Sequence, residues 1–167
     1  MKPNIKINDF KITVPLIVKT VMVIFLVIYL GRLYVSDYAA DVSMDKISAA
    51  LEQISGVTDL DEPGVSGLRR FYQIDDSDLD SYFFRKAASP MSVEEILVIK
   101  AKSSSEAASY LSAAQAHLES QKNIFEGYGT DQMALLGDAS VEKRGVYVLY
   151  FCGENAQELR QALLSLI

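Results

Sequence analysis

Gly145-Val146-Tyr147-Val148-Leu149-Tyr150-Phe151-Cys152-Gly153 decides the fold. An unbroken apolar run rich in β-branched and aromatic residues, bracketed by glycines, reads as a strand. Side chains alternate along a strand, so Val146, Val148 and Tyr150 share one face while Tyr147, Leu149 and Phe151 share the other. Both faces are apolar, so both need cover. Arg144-Gly145 reads as a hairpin turn leading back to a partner strand at Val141. Upstream, Glu95 to Lys102 is a second clear strand. Leu97, Ile99 and Ala101 line one of its faces, and Ile96 and Val98 share the other with Lys100 and Lys102. Tyr82-Phe83-Phe84-Arg85-Lys86-Ala87 supplies a fourth, closed by Ser89-Pro90.

Between these strands, Ser103 and Glu106 make a capping box that opens a long helix. Its expected buried stripe is Ala107, Leu111, Ala114, Leu118 and Phe125, and Gly127 and Gly129 end it. After Gly153, Asn155 caps a last helix with Leu159, Leu163 and Leu166 inward. Ahead of the strands, Val42, Ile47, Leu51 and Ile54 recur at helical spacing up to Gly56, and a brief helical turn falls at Ser66 to Tyr72. The order is strand, strand, helix, strand, strand, helix. The fold class is α+β: a two-layer sandwich with a four-stranded antiparallel sheet, two helices on one face, and a preceding amphipathic helix. The second sheet face is closed either by the helix around 42–55 or by a partner chain. Tyr147, Leu149 and Phe151 are thereby the candidate interaction face.

The charge distribution sets the chain's place. Residues 1–19 carry four lysines against Asp9 alone, whereas the chain after Arg32 carries 11 basic and 21 acidic residues. An acidic body of this kind does not suit nucleic acid, which requires a concentrated positive patch. The segment Thr20 to Gly31 has no charged residue. Extended to residues 12–35, it reaches the roughly 20 residues that a membrane span needs. Lys19 and Arg32 then lie where long side chains reach the interface, with Tyr29, Tyr34 and Tyr38 towards the outer end. The expected organisation is a cytoplasmic N-terminus at 1–11, a transmembrane signal anchor at 12–35, a juxtamembrane helix and linker at 36–65, and an extracytoplasmic α+β domain at 66–167. A cleaved signal peptide is the competing reading, but Ala39 and Ala40 follow Asp37 and Tyr38, which fit a cleavage site poorly.

Catalytic chemistry is hard to find. His117 is the only histidine, and no motif brings it a second group, so it reads as a structural residue. Cys152, the only cysteine, ends the apolar run and reads as a small buried hydrophobe. Asp75-Asp76-Ser77-Asp78-Leu79-Asp80 invites a calcium loop. Counting from Asp76, however, Ser81 and Ala87 stand where a glycine and a glutamate belong. No metal, cofactor or catalytic residue is therefore assigned, and the expectation is a protein that is not an enzyme.

One segment packs aromatic, polar and glycine residues around a helix end: Phe125-Glu126-Gly127-Tyr128-Gly129-Thr130-Asp131-Gln132. It reads either as a ligand or partner loop or as a helix terminus whose glycines take left-handed turns. This octapeptide, preceded by Ser120-Gln121-Lys122 and followed by Gly145-Val146-Tyr147-Val148, resembles the hallmark of a bacterial family, domain of unknown function 4358. The resemblance runs from about Leu68 to the C-terminus. It implies an anchored envelope protein of Gram-positive, clostridial-type bacteria, and it carries no activity or site residue. The absence of a cysteine near the apolar segment departs from the family's lipoprotein members.

Two functions follow as expectations. The first is a membrane-anchored extracytoplasmic accessory or interaction module of the cell envelope, with an envelope protein or a second copy as partner. The second is a small-ligand-binding or sensor domain using the Phe125–Gln132 loop, with Glu126, Tyr128 and Asp131 as polar contacts and Arg69 or Arg70 nearby.

Overall fold

The computed structural model describes residues 14–36 and 38–167, with the side chains of α1 described from 16 to 31. The cytoplasmic N-terminus expected at 1–11, and the first residues of the anchor, lie outside them. The chain forms two units, Met1–Ser36 and Asp37–Ile167. The first contains the helix α1, Val14–Ser36. Its apolar side chains, Leu16 to Leu30, are exposed along its length. Among the described residues no helix is long and apolar enough to cross a membrane. The described side chains of α1 cover only about 24 Å of helix axis, against a hydrocarbon core of roughly 30 Å.

The second unit is α+β, with the expected four-stranded antiparallel sheet: β1 (Leu79–Lys86), β2 (Glu95–Ala101), β3 (Ser140–Arg144) and β4 (Tyr147–Cys152), in the order β1-β2-β4-β3. Alternation sorts the apolar residues as read from sequence except Val146, which precedes β4 and packs on the side of Tyr147, Leu149 and Phe151. Strands β2 and β4 pair along their length with Leu97 opposite Tyr150 and Ile99 opposite Val148. β1 begins at Leu79, three residues earlier than expected, with a register shift between Leu79 and Ser81. Gly145 makes the β3–β4 turn at φ +55°.

The layering differs from the expected two-layer sandwich. Helix α4 (Ser104–Phe125) covers the face carrying Leu97, Ile99, Val148 and Tyr150, together with α5 (Thr130–Gly137). Helix α6 (Ala156–Leu164) crosses to the opposite face and packs there with α2 (Met44–Leu51) over Ile96, Val98, Tyr147, Leu149 and Phe151. The reason is hydrophobic: β4 is apolar on both sides, and a single helical layer leaves one side in water. The residues expected as an interaction face are therefore core. Tyr147, Leu149 and Phe151 are 1%, 0% and 0% exposed. The Tyr147 hydroxyl also donates to the Val42 carbonyl and accepts from the Val42 N–H, both at 2.8 Å, which fastens the irregular segment leading into α2.

The stretch expected as a juxtamembrane helix and linker thus packs as part of the domain. Val57 is buried, and Asp61 exchanges two 2.9 Å backbone hydrogen bonds with Lys86 on β1. Helix α3 (Gly64–Gly67) then widens into a π-helical turn, Leu68–Tyr72, stopped by Gln73 at φ +58°.

Candidate functional site

The least expected feature of the domain is a charge in its core. Glu95 is 0% exposed. It shares strand parity with Leu97, Ile99 and Ala101, so the alternation that makes β2 a strand sends its carboxylate into the α4-side core. An ion there costs several kcal/mol unless paired and hydrogen-bonded, by order of magnitude. Three elements supply the partners. The π-helical turn points Tyr72 inward, and its hydroxyl donates to Oε1 at 2.5 Å. Lys86, the last residue of β1, donates from Nζ to Oε2 at 2.5 Å. His117 of α4 meets the same Oε2 through Nε2 at 3.0 Å. Burial pushes the Glu95 carboxyl up, but the His117 hydrogen bond and the Lys86 charge outweigh it and hold it below the ordinary value. An ionised carboxylate only accepts, so His117 carries its proton on Nε2.

Around this network lie rings and a thiol. The His117 ring lies 4.6 Å from Tyr72, 5.5 Å from Tyr150 and 6.0 Å from Phe71, centroid to centroid. Burial first, and the Glu95 charge second, raise the Tyr72 and Tyr150 hydroxyls well above their ordinary range. The same two causes push the Cys152 thiol up to about 12. Tyr150 Oη is buried without a well-formed hydrogen bond, with the weak Cys152 sulfur beside it. His117, expected from sequence as a surface or half-buried structural residue, is instead 5% exposed, because the buried stripe of α4 is Ala107, Tyr110, Ala114, His117 and Phe125. That stripe centres one residue earlier than a reading on Leu111 and Leu118, and the shift turns the imidazole inward.

The network is closed to solvent, but its edge forms a wall of an open groove of about 670 Å³. Ligand pockets run to about 300–1,000 Å³. The groove lies between the 61–71 segment, the β1–β2 hairpin at 86–92, and the last turn of α4. Lys86 belongs to both groove and network, and Phe71 links them by packing its ring against His117. Arg70, Gln121, Ser66 and Ser92 add polar groups, and Pro63, Pro90, Ile124 and Phe125 add apolar ones.

Of the Phe125–Gln132 loop, Phe125 alone lines this groove. Its ring is buried, and Gly127 follows at φ +88°, which ends α4 in a left-handed turn. Gly129 closes on the ring so tightly that a Cβ there would stand 2.7 Å from Phe125 Cδ1. Tyr128 is 61% exposed with its ring 5.8 Å from that of Phe125. Glu126, Thr130 and Asp131 are exposed, and Gln132 is half-buried in the first turn of α5. Thr130 and Asp131 do not cap α5, which begins from Gly129 without a side-chain cap. The two arginines part company: Arg70 faces the groove, whereas Arg69 pairs with Asp75 at 2.9 Å and Asp76 at 3.4 Å. In the acidic loop, the Ser77 N–H and then Arg69 hold the Asp75 carboxyl down at about 2. Among the described residues no group of acidic, histidine and cysteine side chains is arranged to hold a metal ion.

A family model described as Domain of unknown function (DUF4358) matches residues 53–153. The chain belongs to this family. The match begins at Gln53, earlier than the resemblance read from Leu68 onward, and so takes in the groove rim at Asp61 to Gly67. All four members of the Glu95 network, and every residue lining the groove, fall within the DUF4358 region. No curated protein and no solved structure matches the chain.

Proposed function

We propose that this DUF4358 protein is a membrane-anchored, extracytoplasmic accessory module of the bacterial cell envelope that binds a small ligand in the groove beside the Glu95 network. One observation carries the binding reading. Both faces of the sheet are closed by the chain's own helices, while an open, mixed-polarity groove of about 670 Å³ remains at the end of α4. The recognition surface is thus the groove rather than the sheet face. It replaces the exposed part of the Phe125–Gln132 loop and keeps Phe125 as a shared wall. Rigid support comes from Glu95, whose three donors come from the π-helical turn, β1 and α4.

Placement outside the membrane rests on sequence. The charge-free run Thr20–Gly31 follows four lysines, and an acidic body follows Arg32. The exposed apolar side chains of α1, Leu16 to Leu30, suit a lipid environment better than water. A non-enzymatic role accords with a network whose acid, base and hydroxyl are all buried against one another.

The test is a thermal-shift screen of the full chain in detergent against cell-wall fragments and metabolites, run beside Gln121→Trp, which fills the groove. A hit that stabilises the wild type and not Gln121→Trp is the expected result. Hits that act equally on both proteins, or a broad panel with none, count against the groove.

A further inference from the structure

Two cations meet on one ring in the groove wall. Arg70 Cζ lies 5.2 Å, and Lys86 Nζ 5.1 Å, from the centroid of Phe71. Aromatic faces attract cations, but they do not neutralise them. Four ionisable groups line the groove, and two of them are paired. Lys86 is balanced by Glu95 at 2.5 Å. Glu62 pairs with Arg85 at 2.7 Å, and Asp61 is an exposed rim residue whose backbone is tied to Lys86. The Asp61 carboxylate on the rim and the Arg70 guanidinium remain: among the described residues Arg70 has no carboxylate partner, whereas its neighbour Arg69 has two. Lys86 has three N–H donors and spends one on Glu95, so it offers hydrogen bonds beside the Arg70 charge.

Resting on the groove reading above, we infer that the ligand carries an anionic group, a carboxylate or a phosphate. The Arg70 guanidinium takes that group, Lys86 adds a hydrogen bond, and Phe71, Ile124 and Phe125 pack against an apolar body. A guanidinium is suited to either oxyanion because its planar fork matches two oxygens at once. The 0% exposure of Glu95 and its three donors keep Lys86 at the wall, so the second contact is built into the fold.

The experiment uses the full chain in nanodiscs of zwitterionic lipid, so that no anionic headgroup competes, with methyl-labelled alanine and isoleucine. The probes are benzoate, phenyl phosphate and uncharged benzamide, and the reporters are the groove methyls of Ala87, Ala88 and Ile124. At least one anion is expected to move these signals saturably, with benzamide about 10-fold weaker or more, as for loss of a charged hydrogen bond. Arg70→Gln weakens that anion by about the same factor, and Arg69→Gln leaves it unchanged. Response to benzoate alone assigns a carboxylate, and response to phenyl phosphate alone assigns a phosphate. Benzamide binding as tightly as the anions overturns the inference while leaving the groove as a binding site. An unchanged affinity in Arg70→Gln, or no response to either anion, also overturns it, and the thermal-shift screen then decides the groove on its own.

Discussion

Replacing Glu95 removes the acceptor on which three elements converge. In Glu95→Ala, Lys86 at 14% side-chain exposure loses its counter-ion, and the buried Tyr72 hydroxyl and His117 Nε2–H lose their acceptor. Breaking a buried pair in this way costs about 3–5 kcal/mol, out of a total stability of about 5–15 kcal/mol for a domain. At this size, 1 kcal/mol moves the midpoint by about 3–5 °C, so Tm falls by about 10–20 °C. Glu95→Gln is gentler. Its carbonyl still accepts from Lys86 and His117 while its amide donates to Tyr72 Oη, so charge is lost but not connectivity, at about 1–2 kcal/mol. Replacing the network with apolar groups, Glu95→Leu with Lys86→Met, His117→Leu and Tyr72→Phe, recovers most of the loss. Thermal and urea unfolding of the full chain in detergent, followed by near-UV circular dichroism, measures all three. A Glu95→Ala variant within about 0.5 kcal/mol of wild type, or a Gln variant as damaged as the Ala variant, would refute the reasoning.

The remaining predictions concern pH, glycine packing, the closed face and the thiol. Because the Glu95 carboxyl is held below its ordinary value, its stabilisation is complete above the unfolded-state value, about 4.3, and is lost as pH falls through the folded one. Asp75, at about 2, adds in the same direction, so an unfolding series from pH 7 to pH 2 falls less steeply in Glu95→Gln than in wild type. Gly129→Ala drives a Cβ to 2.7 Å from the Phe125 ring and should cost about 1–3 kcal/mol in the same unfolding assay. Gly127→Ala, strained at φ +88° but with open space around it, should cost about 1 kcal/mol. Tyr147→Asp and Phe151→Asp should unfold the domain rather than leave a folded monomer that has lost a partner, as read by loss of near-UV dichroism. Cys152, 2% exposed with its thiol raised to about 12, should resist iodoacetamide at pH 8 until urea unfolds the chain.

The strands were legible because period-two alternation needs no tertiary knowledge. Leu97, Ile99 and Ala101 announce a face on their own, and so does the run from Val146 to Cys152. The same alternation held the signal for the network. Glu95 is in phase with Leu97, and a carboxylate on an apolar face requires partners. Their identity was out of reach, because Lys86, Tyr72 and His117 lie 9, 23 and 22 residues away and meet only after pairing and packing. His117 was hidden further by a helix whose small alanines leave the centre of the buried stripe ambiguous by one position. The side of the sheet that α6 covers was equally undetermined, since periodicity shows that a helix has an apolar stripe and not which sheet face it meets. The groove is built by loops around 61–67 and 86–92, where no period applies. Within the octapeptide, Gly127 at φ +88° and Gly129, tight against the Phe125 ring, turn the chain at the end of α4.

The central claim, an anchored module with its ligand site in the groove, is tested most directly by photo-crosslinking in the native membrane. A benzoylphenylalanine at exposed position 89 stands on the groove rim, one at exposed Glu158 on α6 serves as the control, and intact mass is read on the recovered chain. The account predicts a full-length mass retaining residues 1–40, with a discrete small-molecule adduct from position 89 and none from position 158. A chain lacking its first 40 residues, or equal adducts at both positions, would contradict it.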